Sequence, residues 1–257
     1  MEDSEYKIMY DLERTYWWFV GKQFLVNNCF KWFMLKCLTK GKILDVGCGT
    51  GIVLKLLENF GIPSGMELSR KAIHFLRQRN LNRIVRSDAN QSIPFKNDTF
   101  SVITCLDVLE HLENDLNLIR EMVRVCAPGG YVLVTVPAFE SLWSPHDVAL
   151  HHKRRYTRKQ VFNSIRGLNC SVIKASYYNT ILCFPILAAR KLKCFFSNKK
   201  DAQSDFFIGV PDYVNKALSL IFIAEIYCLR FFSFPFGVSF LLIIQKSGGE
   251  QSVIEEK

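Results

Sequence analysis

Two periods of hydrophobicity alternate along this chain. Residues 5–20 and 22–38 repeat apolar side chains at helical spacing, with Ile8, Leu12, Tyr16, Trp17, Trp18 and Phe19 in the first stretch and Phe24, Leu25, Phe30, Trp32, Phe33 and Leu35 in the second. Gly21 stands between them and predicts a break between two helices. Short runs of strand type follow at 43–46, 63–67, 83–87, 100–106 and 131–136, with helical stretches at 52–60, 69–79 and 114–126 between them. Five strands with helical crossovers predict a parallel sheet covered on both faces, an α/β doubly wound, Rossmann-like fold. A helix at 156–167 and a strand at 171–176 extend the series.

The alternation then stops. Residues 181–236 are too long for a plain loop in a compact domain, and they carry two apolar segments, 181–196 and 214–236, parted by a polar stretch at 197–205. Neither segment is a clean membrane span: Pro185, Arg190, Lys191 and Lys193 interrupt the first, Glu225 and Arg230 the second. Two readings stay open, a helical cap over the sheet and an interfacial helix pair on an anionic membrane. An alternating run at 237–246 supplies a last strand, and 247–257 is a polar tail. The organisation expected is an N-terminal helical lid (1–40), a sheet domain built from 41–180 together with 237–246, the apolar helical insertion (181–236) and the tail.

Charge sharpens this picture. The formal net charge is +9, yet twelve of the 33 Lys and Arg residues lie between His151 and Lys200, a stretch without Asp or Glu, which leaves 21 basic against 24 acidic residues elsewhere. Local basicity of this kind points to an anionic partner such as a phosphate, a lipid headgroup or nucleic acid, or else to a solvated basic face. The nine cysteines include no C-x-x-C pair, and the acidic start M-E-D-S-E-Y does not read as a leader, so a reducing, cytoplasmic setting is expected.

The chemistry begins at 43–51, I-L-D-V-G-C-G-T-G, a strand that runs through a glycine turn into a helix. Such a turn admits a ligand to the backbone and offers it the free N–H groups of a helix start. Position 52 is isoleucine where a dinucleotide fingerprint needs glycine, and no Gly-Lys-Ser/Thr follows for a phosphate loop. Asp45 just before the turn repels an anion and favours a cationic or hydroxyl-rich ligand. Glu67 ends the second strand about twenty residues on, the separation at which a carboxylate meets ribose hydroxyls.

These residues resemble the first motif of class I S-adenosylmethionine (SAM) dependent methyltransferases. The likeness continues in S-I-P-F-K-N-D-T-F at 92–100 and V-L-E-H-L at 108–112, with Ser101 where an aspartate is usual. It implies a seven-stranded methyltransferase sheet with N-terminal helices over the cofactor and an apolar helical insertion before the last strand. It also implies that Asp45, Gly47, Cys48, Gly49 and Gly51 hold the methionine end of SAM, Glu67 the ribose, and Asp88 with Ala89 the adenine, with Leu106 and Asp107 beside them at the fourth strand's exit. Trp17 and Trp18 are either core or ligand-facing. Asp107, Glu110 and His111 read D-x-x-E-H, which certain O-methyltransferases of ubiquinone synthesis and certain RNA-end methyltransferases use for a divalent ion. More often in this fold the E-H pair orients a loop, and no metal is expected.

A third stretch, 137–157, gathers Trp143, His146, Asp147, His151, His152, Arg154, Arg155 and Tyr156 just past a strand's carboxyl end. It resembles a methyltransferase subgroup with L-W-S-x-H-D and R-R-Y-T motifs and an N-terminal E-x-x-x-W-W-F, matched here by Glu13, Trp17, Trp18 and Phe19. Histidine suits removal of a hydroxyl proton near neutral pH, which nominates His146 with Asp147, or His151, as general base. Trp143, Arg154, Arg155 and Tyr156 are the expected acceptor contacts, the arginines through bidentate bonds to phosphate or carboxylate. The expected activity is O-methylation of a saccharide, quinone or lipid-linked acceptor, with peripheral contact to the inner face of a membrane. A non-catalytic binding module and a nucleic-acid methyltransferase are the alternatives. No N-P-P-Y-like target motif follows the fourth strand, so no nucleic acid is expected.

Overall fold

The computed structural model describes residues 3–34, 41–187 and 210–248. Seven strands form one sheet: β1 (Lys42–Val46), β2 (Ile62–Glu67), β3 (Ile84–Arg86), β4 (Phe100–Leu106), β5 (Cys126–Pro137), β6 (Cys170–Tyr178) and β7 (Ser239–Lys246). Their order across the sheet is β3-β2-β1-β4-β5-β7-β6. The pairs among β1 to β5 are parallel, whereas β7 is antiparallel to both β5 and β6.

Side chains alternate between the two faces of each strand, and the helices cover both. Leu44 and Val46, Ile103 and Cys105, Val132 and Val134, and Leu242 and Ile244 pack on one side against α5 (Asp115–Val125) and α7 (Arg158–Ser164). Ile43, Val102, Leu133, Leu241 and Ile243 face the other way, under α2 (Trp17–Cys29), α3 (Ile52–Leu57) and α8 (Asp212–Leu229). Between β2 and β3 runs α4 (Arg70–Gln78), whose first turn is capped by the Ser69 hydroxyl accepting from the Ala72 amide.

Several boundaries differ from the sequence reading. Gly21 does not break a helix but lies inside α2, where a Cβ would fall within the Phe222 ring, so glycine is what lets α8 approach. The break comes earlier, at 13–16, between α1 (Asp3–Leu12) and α2. The fifth strand, expected at 131–136, starts at Cys126, so Pro128, Gly129 and Gly130 lie inside β5, at a register shift where a missing N–H is tolerated. The helix expected from 156 starts at Arg158, because the Thr157 side chain and Gln160 form a capping box and Tyr156 bridges to Ala138.

The second half of the insertion is a cap. Phe222, Ile226 and Leu229 of α8 are buried with Trp17, Leu25 and Tyr178, and Glu225 turns inward to accept from the amides of Thr180 and Ile181. No described helix is long and apolar enough to cross a membrane. The polar stretch at 197–205, and most of the first apolar segment and of the tail, lie outside the described residues.

Candidate functional site

A cavity of about 370 Å³ opens at the carboxyl ends of the parallel strands, where ligands of open α/β sheets bind. Its floor is Gly47 and Gly49 after β1, Glu67 at the end of β2, Asp88 and Ala89 after β3, and Leu106 and Asp107 at the end of β4. Tyr6 and Met9 of α1 and Trp18 and Phe19 of α2 roof it. Trp17 belongs to the core, so the two neighbouring tryptophans divide between packing and cavity.

The glycine turn is shaped for close approach. Gly49 has φ +53°, and a Cβ there would meet nothing within 4 Å. Its amide donates to Glu67 Oε2 at 2.9 Å, while Glu67 Oε1 accepts from the amides of Leu68 and Ser69, both at 2.8 Å. Glu67 therefore ties the turn to the exit of β2, and its oxygens retain lone pairs for hydroxyl donors. Asp88 accepts from the Asn90 amide at 2.9 Å and presents itself at the other end of the floor. With an open cradle at one end, carboxylates along the floor and apolar Leu68, Ala89 and Leu112 beside them, the cavity fits a nucleoside joined to an amino-acid tail.

Three expected cofactor residues lie behind this surface. Asp45 is 2% exposed and takes the Thr104 hydroxyl at 2.6 Å. Burial pushes its carboxyl up to about 7, with Thr104 opposing and the charge of Glu67 adding to the rise. Cys48 is buried against Leu54, Leu76 and Leu81, and Gly51 caps α3. They shape the turn rather than line the cavity.

Asp107 anchors a network that spacing did not reveal. Its Oδ2 pairs with Lys22 Nζ at 2.7 Å and its Oδ1 accepts from Thr135 at 3.0 Å. Lys22 also donates to Thr135 Oγ1 and to the Tyr178 hydroxyl, both at 2.8 Å. Burial works against the ammonium, yet Asp107 and Tyr178 together hold its pKa above the ordinary lysine value. Burial likewise opposes the Asp107 carboxylate, and Lys22 holds it below the usual range.

The far wall holds Glu110, His111, His146, His152 and Arg155. Asp147 is engaged by His152 and Arg155. Its Oδ1 faces His152 Nδ1 at 2.8 Å, and Arg155 grips both of its oxygens, Nε to Oδ1 at 2.8 Å and a terminal nitrogen to Oδ2 at 2.9 Å. Burial opposes the charge on Asp147, but His152 and Arg155 hold its pKa well below the usual carboxylate range. An ionised carboxylate only accepts, so Nδ1 of His152 carries the proton and Nε2 is left toward Glu110. Burial, reinforced by the His152 ring, pushes His111 down to about 4.

The other loop residues are placed differently from the sequence reading. His151 is exposed at φ +56° and is not on the cavity wall. Arg154 donates to the carbonyls of Leu112 and Glu113 and pairs with Asp115 at 3.1 Å, and the Tyr156 hydroxyl donates to Asp115 at 2.7 Å. Arg155 reaches the wall with its guanidinium on Asp147 and the Ala138 carbonyl. Trp143 is half-buried off the cavity. The two arginines and the tyrosine pin this loop to the exits of β4 and β5, because their polar groups are matched inside the protein. Of the neighbouring histidines, it is His152, not the expected His151, that lines the cavity, and His151 takes a left-handed backbone conformation beside it.

The strand order with its antiparallel β7, and a glycine-turn cavity floored by Glu67 and Asp88, define a class I SAM-dependent methyltransferase. The chain belongs to the methyltransferase domain family, whose model matches residues 25–182. It is 34% identical over 97 residues to a ubiquinone biosynthesis O-methyltransferase of Aliivibrio fischeri, covering 35% of this chain and 42% of that protein. It is 26% identical over 151 residues to norajmaline N-methyltransferase of Rauvolfia serpentina, covering 56% and 51%. These matches thus span about half, or less, of the relatives' own length. Among solved structures, a putative methyltransferase complexed with the Trm112 activator of Haloferax volcanii superposes with a TM-score of 0.59 at 15% identity, covering 97% of this chain and 95% of that one. A SAM-dependent methyltransferase of Archaeoglobus fulgidus gives 0.55 at 19%, covering 87% and 94%. These likenesses establish the fold.

Proposed function

We propose that this chain transfers a methyl group from SAM to an oxygen of a small-molecule acceptor, with saccharides, quinones and lipid-linked carriers as the classes in view. The observation that carries the oxygen is the far wall, where Asp147 orients His152 and a buried Glu110 stands beside it. A hydroxyl of ordinary acidity becomes a good nucleophile only as its proton leaves, and a wall of this kind assists that loss. The relatives include an O- and an N-methyltransferase, so the wall is what favours oxygen in this reading.

SAM supplies, when bound, a methyl group already activated by its sulfonium. What remains for the protein is alignment and the exclusion of water. Glu67 would hold the ribose and Asp88 the adenine, and Gly47 and Gly49 would admit the methionine end to the backbone. Asp107, fixed by Lys22, holds the exit of β4 against the centre of the cavity, and Trp18 and Phe19 close the roof.

Calorimetry with S-adenosylhomocysteine tests the cofactor site. The wild-type protein should bind it and Gly49→Arg, whose side chain fills the cradle, should not; equal titrations of both would sink the reading. His152→Ala should retain that binding and lose about 100-fold or more in methyl transfer. Labelled SAM incubated separately with lipid, polysaccharide and RNA extracts identifies the acceptor class. Cofactor binding with no transfer to any extract would favour the non-catalytic module.

A second reading, peripheral attachment to an anionic membrane, is favoured by one observation. Tyr213, Leu220 and Tyr227 on α8, Phe231 and Phe232 beyond it, and the edge-to-face pair Phe184 and Phe236 are all 39–76% exposed. Exposed aromatics in a chain whose sequence carries a basic stretch at 151–200 suit an anionic interface. Cosedimentation with anionic but not zwitterionic vesicles, reduced in a Phe231→Ser/Phe232→Ser variant, is the expected result.

A further inference from the structure

We infer that Glu110, His111 and His152 bind one divalent transition-metal ion at the acceptor end of the cavity, with zinc the best match to the donor set. The three side chains come from two distant stretches, the exit of β4 and the loop after β5, and each presents one ligand atom. These atoms lie within 4.8 Å of one another. Donors on a tetrahedral zinc with bonds near 2.1 Å sit about 3.4 Å apart, so the set closes by up to about 1.4 Å, within reach of a glutamate torsion and two ring rotations.

Glu110 supplies the second observation. It is fully buried, and neither carboxylate oxygen has a hydrogen-bond partner. His152 Nε2 is 4.0 Å from Glu110 Oε1, beyond hydrogen-bonding distance. Buried carboxylates are otherwise paired or bound to a metal.

The rings are held from behind, as metal-bound histidines are. Asp147 fixes Nδ1 of His152 at 2.8 Å and is itself gripped by Arg155 and the Ser144 amide, while the His111 ring is hydrogen-bonded to the backbone of His151. The nitrogen left on His152 points toward Glu110. Asp107 is not a fourth ligand, since Lys22 and Thr135 occupy its oxygens. One carboxylate with two imidazoles suits zinc and its neighbours better than magnesium or calcium, which favour oxygen throughout. All three residues line the cavity, so the ion's remaining positions face the acceptor. Its effect on catalysis rests on the oxygen-acceptor reading above, because a divalent ion acidifies a hydroxyl it binds; its binding does not.

The test uses full-length protein stripped by a chelator, titrated with zinc by calorimetry and with cobalt by visible absorption. One ion per chain is expected, with cobalt bands typical of nitrogen ligation at low coordination number. Glu110→Gln and His152→Asn should each weaken binding by more than about 100-fold, beyond the loss typical of outer-shell changes. His74→Gln and His151→Asn replace exposed rings outside the trio and should stay within about twofold of wild type. S-adenosylhomocysteine titration of every variant reports folding and the cofactor site separately. No stoichiometric ion, or equal affinity in Glu110→Gln, overturns the metal site, and if the nucleoside still binds, the methyltransferase reading stands. Metal binding without nucleoside binding has the opposite meaning.

Discussion

Asp45 and Asp107 both flank the cofactor turns, and their surroundings shift them in opposite directions. Asp107 is held ionised by Lys22, whereas Asp45 has only the Thr104 hydroxyl and the repelling charge of Glu67, so burial carries it to about 7. The folded protein thus keeps a proton that the unfolded chain, with an ordinary value of 3.8, has released. The stabilisation linked to that proton is complete below about pH 4 and is lost as pH rises through about 7. At about 1.4 kcal/mol per pKa unit the loss is on the order of 4 kcal/mol. Asp45→Asn cannot titrate, so urea midpoints at pH 4.5 and 8 should differ less in the variant than in wild type. An unchanged difference would place the proton elsewhere. Glu13 is the other decisive acid. It is 1% exposed, accepts from the Thr50 hydroxyl at 2.6 Å and pairs with Arg79, so it locks the start of α2 to the glycine turn. Glu13→Ala leaves Arg79 buried without its partner and should cost about 3–5 kcal/mol in urea unfolding.

Between elements, the contact of α2 with α8 explains why the insertion reads as apolar. Phe222 packs across Gly21 and against Trp17, Trp18 and Tyr178, and Tyr178 is the residue whose hydroxyl receives Lys22. The inner face of α8 therefore supports the helix that carries Lys22 and the roof residues Trp18 and Phe19. Alanine is the better helix former by about 1 kcal/mol, so on propensity alone Gly21→Ala would stabilise. Its methyl group meets the Phe222 ring, and overpacking of this kind costs about 1–3 kcal/mol. The expected outcome is a lower melting temperature for Gly21→Ala, with much of it restored when Phe222→Leu is added. A single variant as stable as wild type would show that α8 yields freely.

Across the molecule, the last described strand is an interior one. β7 pairs with β5 along Tyr131 to Pro137 and with β6 along Cys170 to Tyr178, although residues 181–236 precede it in the chain. Loss of an edge strand removes one ladder; loss of β7 removes two and strands β6. A chain ending at Gly237 should therefore lose cooperative unfolding altogether, which calorimetry would register as the absence of a heat-absorption peak. A sharp transition in that truncated chain would contradict the central place of β7.

The amino-acid sequence by itself determined the alternation of strand and helix, the glycine turn after β1, and the carboxylates at the ends of β2 and β3. These follow from periodicity and spacing, which act over a few residues and so are written locally. It did not determine which side chains meet. Lys22 and Thr135 converge on Asp107, and Tyr178 on Lys22, from elements far apart in the chain, and Glu110 comes near His152 only because β4 and β5 are neighbours. Arg155 turns inward because Asp147, placed by the short helix α6 (Pro145–Ala149), stands within its reach. Local rules set the backbone, whereas pairing of buried charges is decided by desolvation once the strands are side by side, and that ordering belongs to the tertiary structure alone.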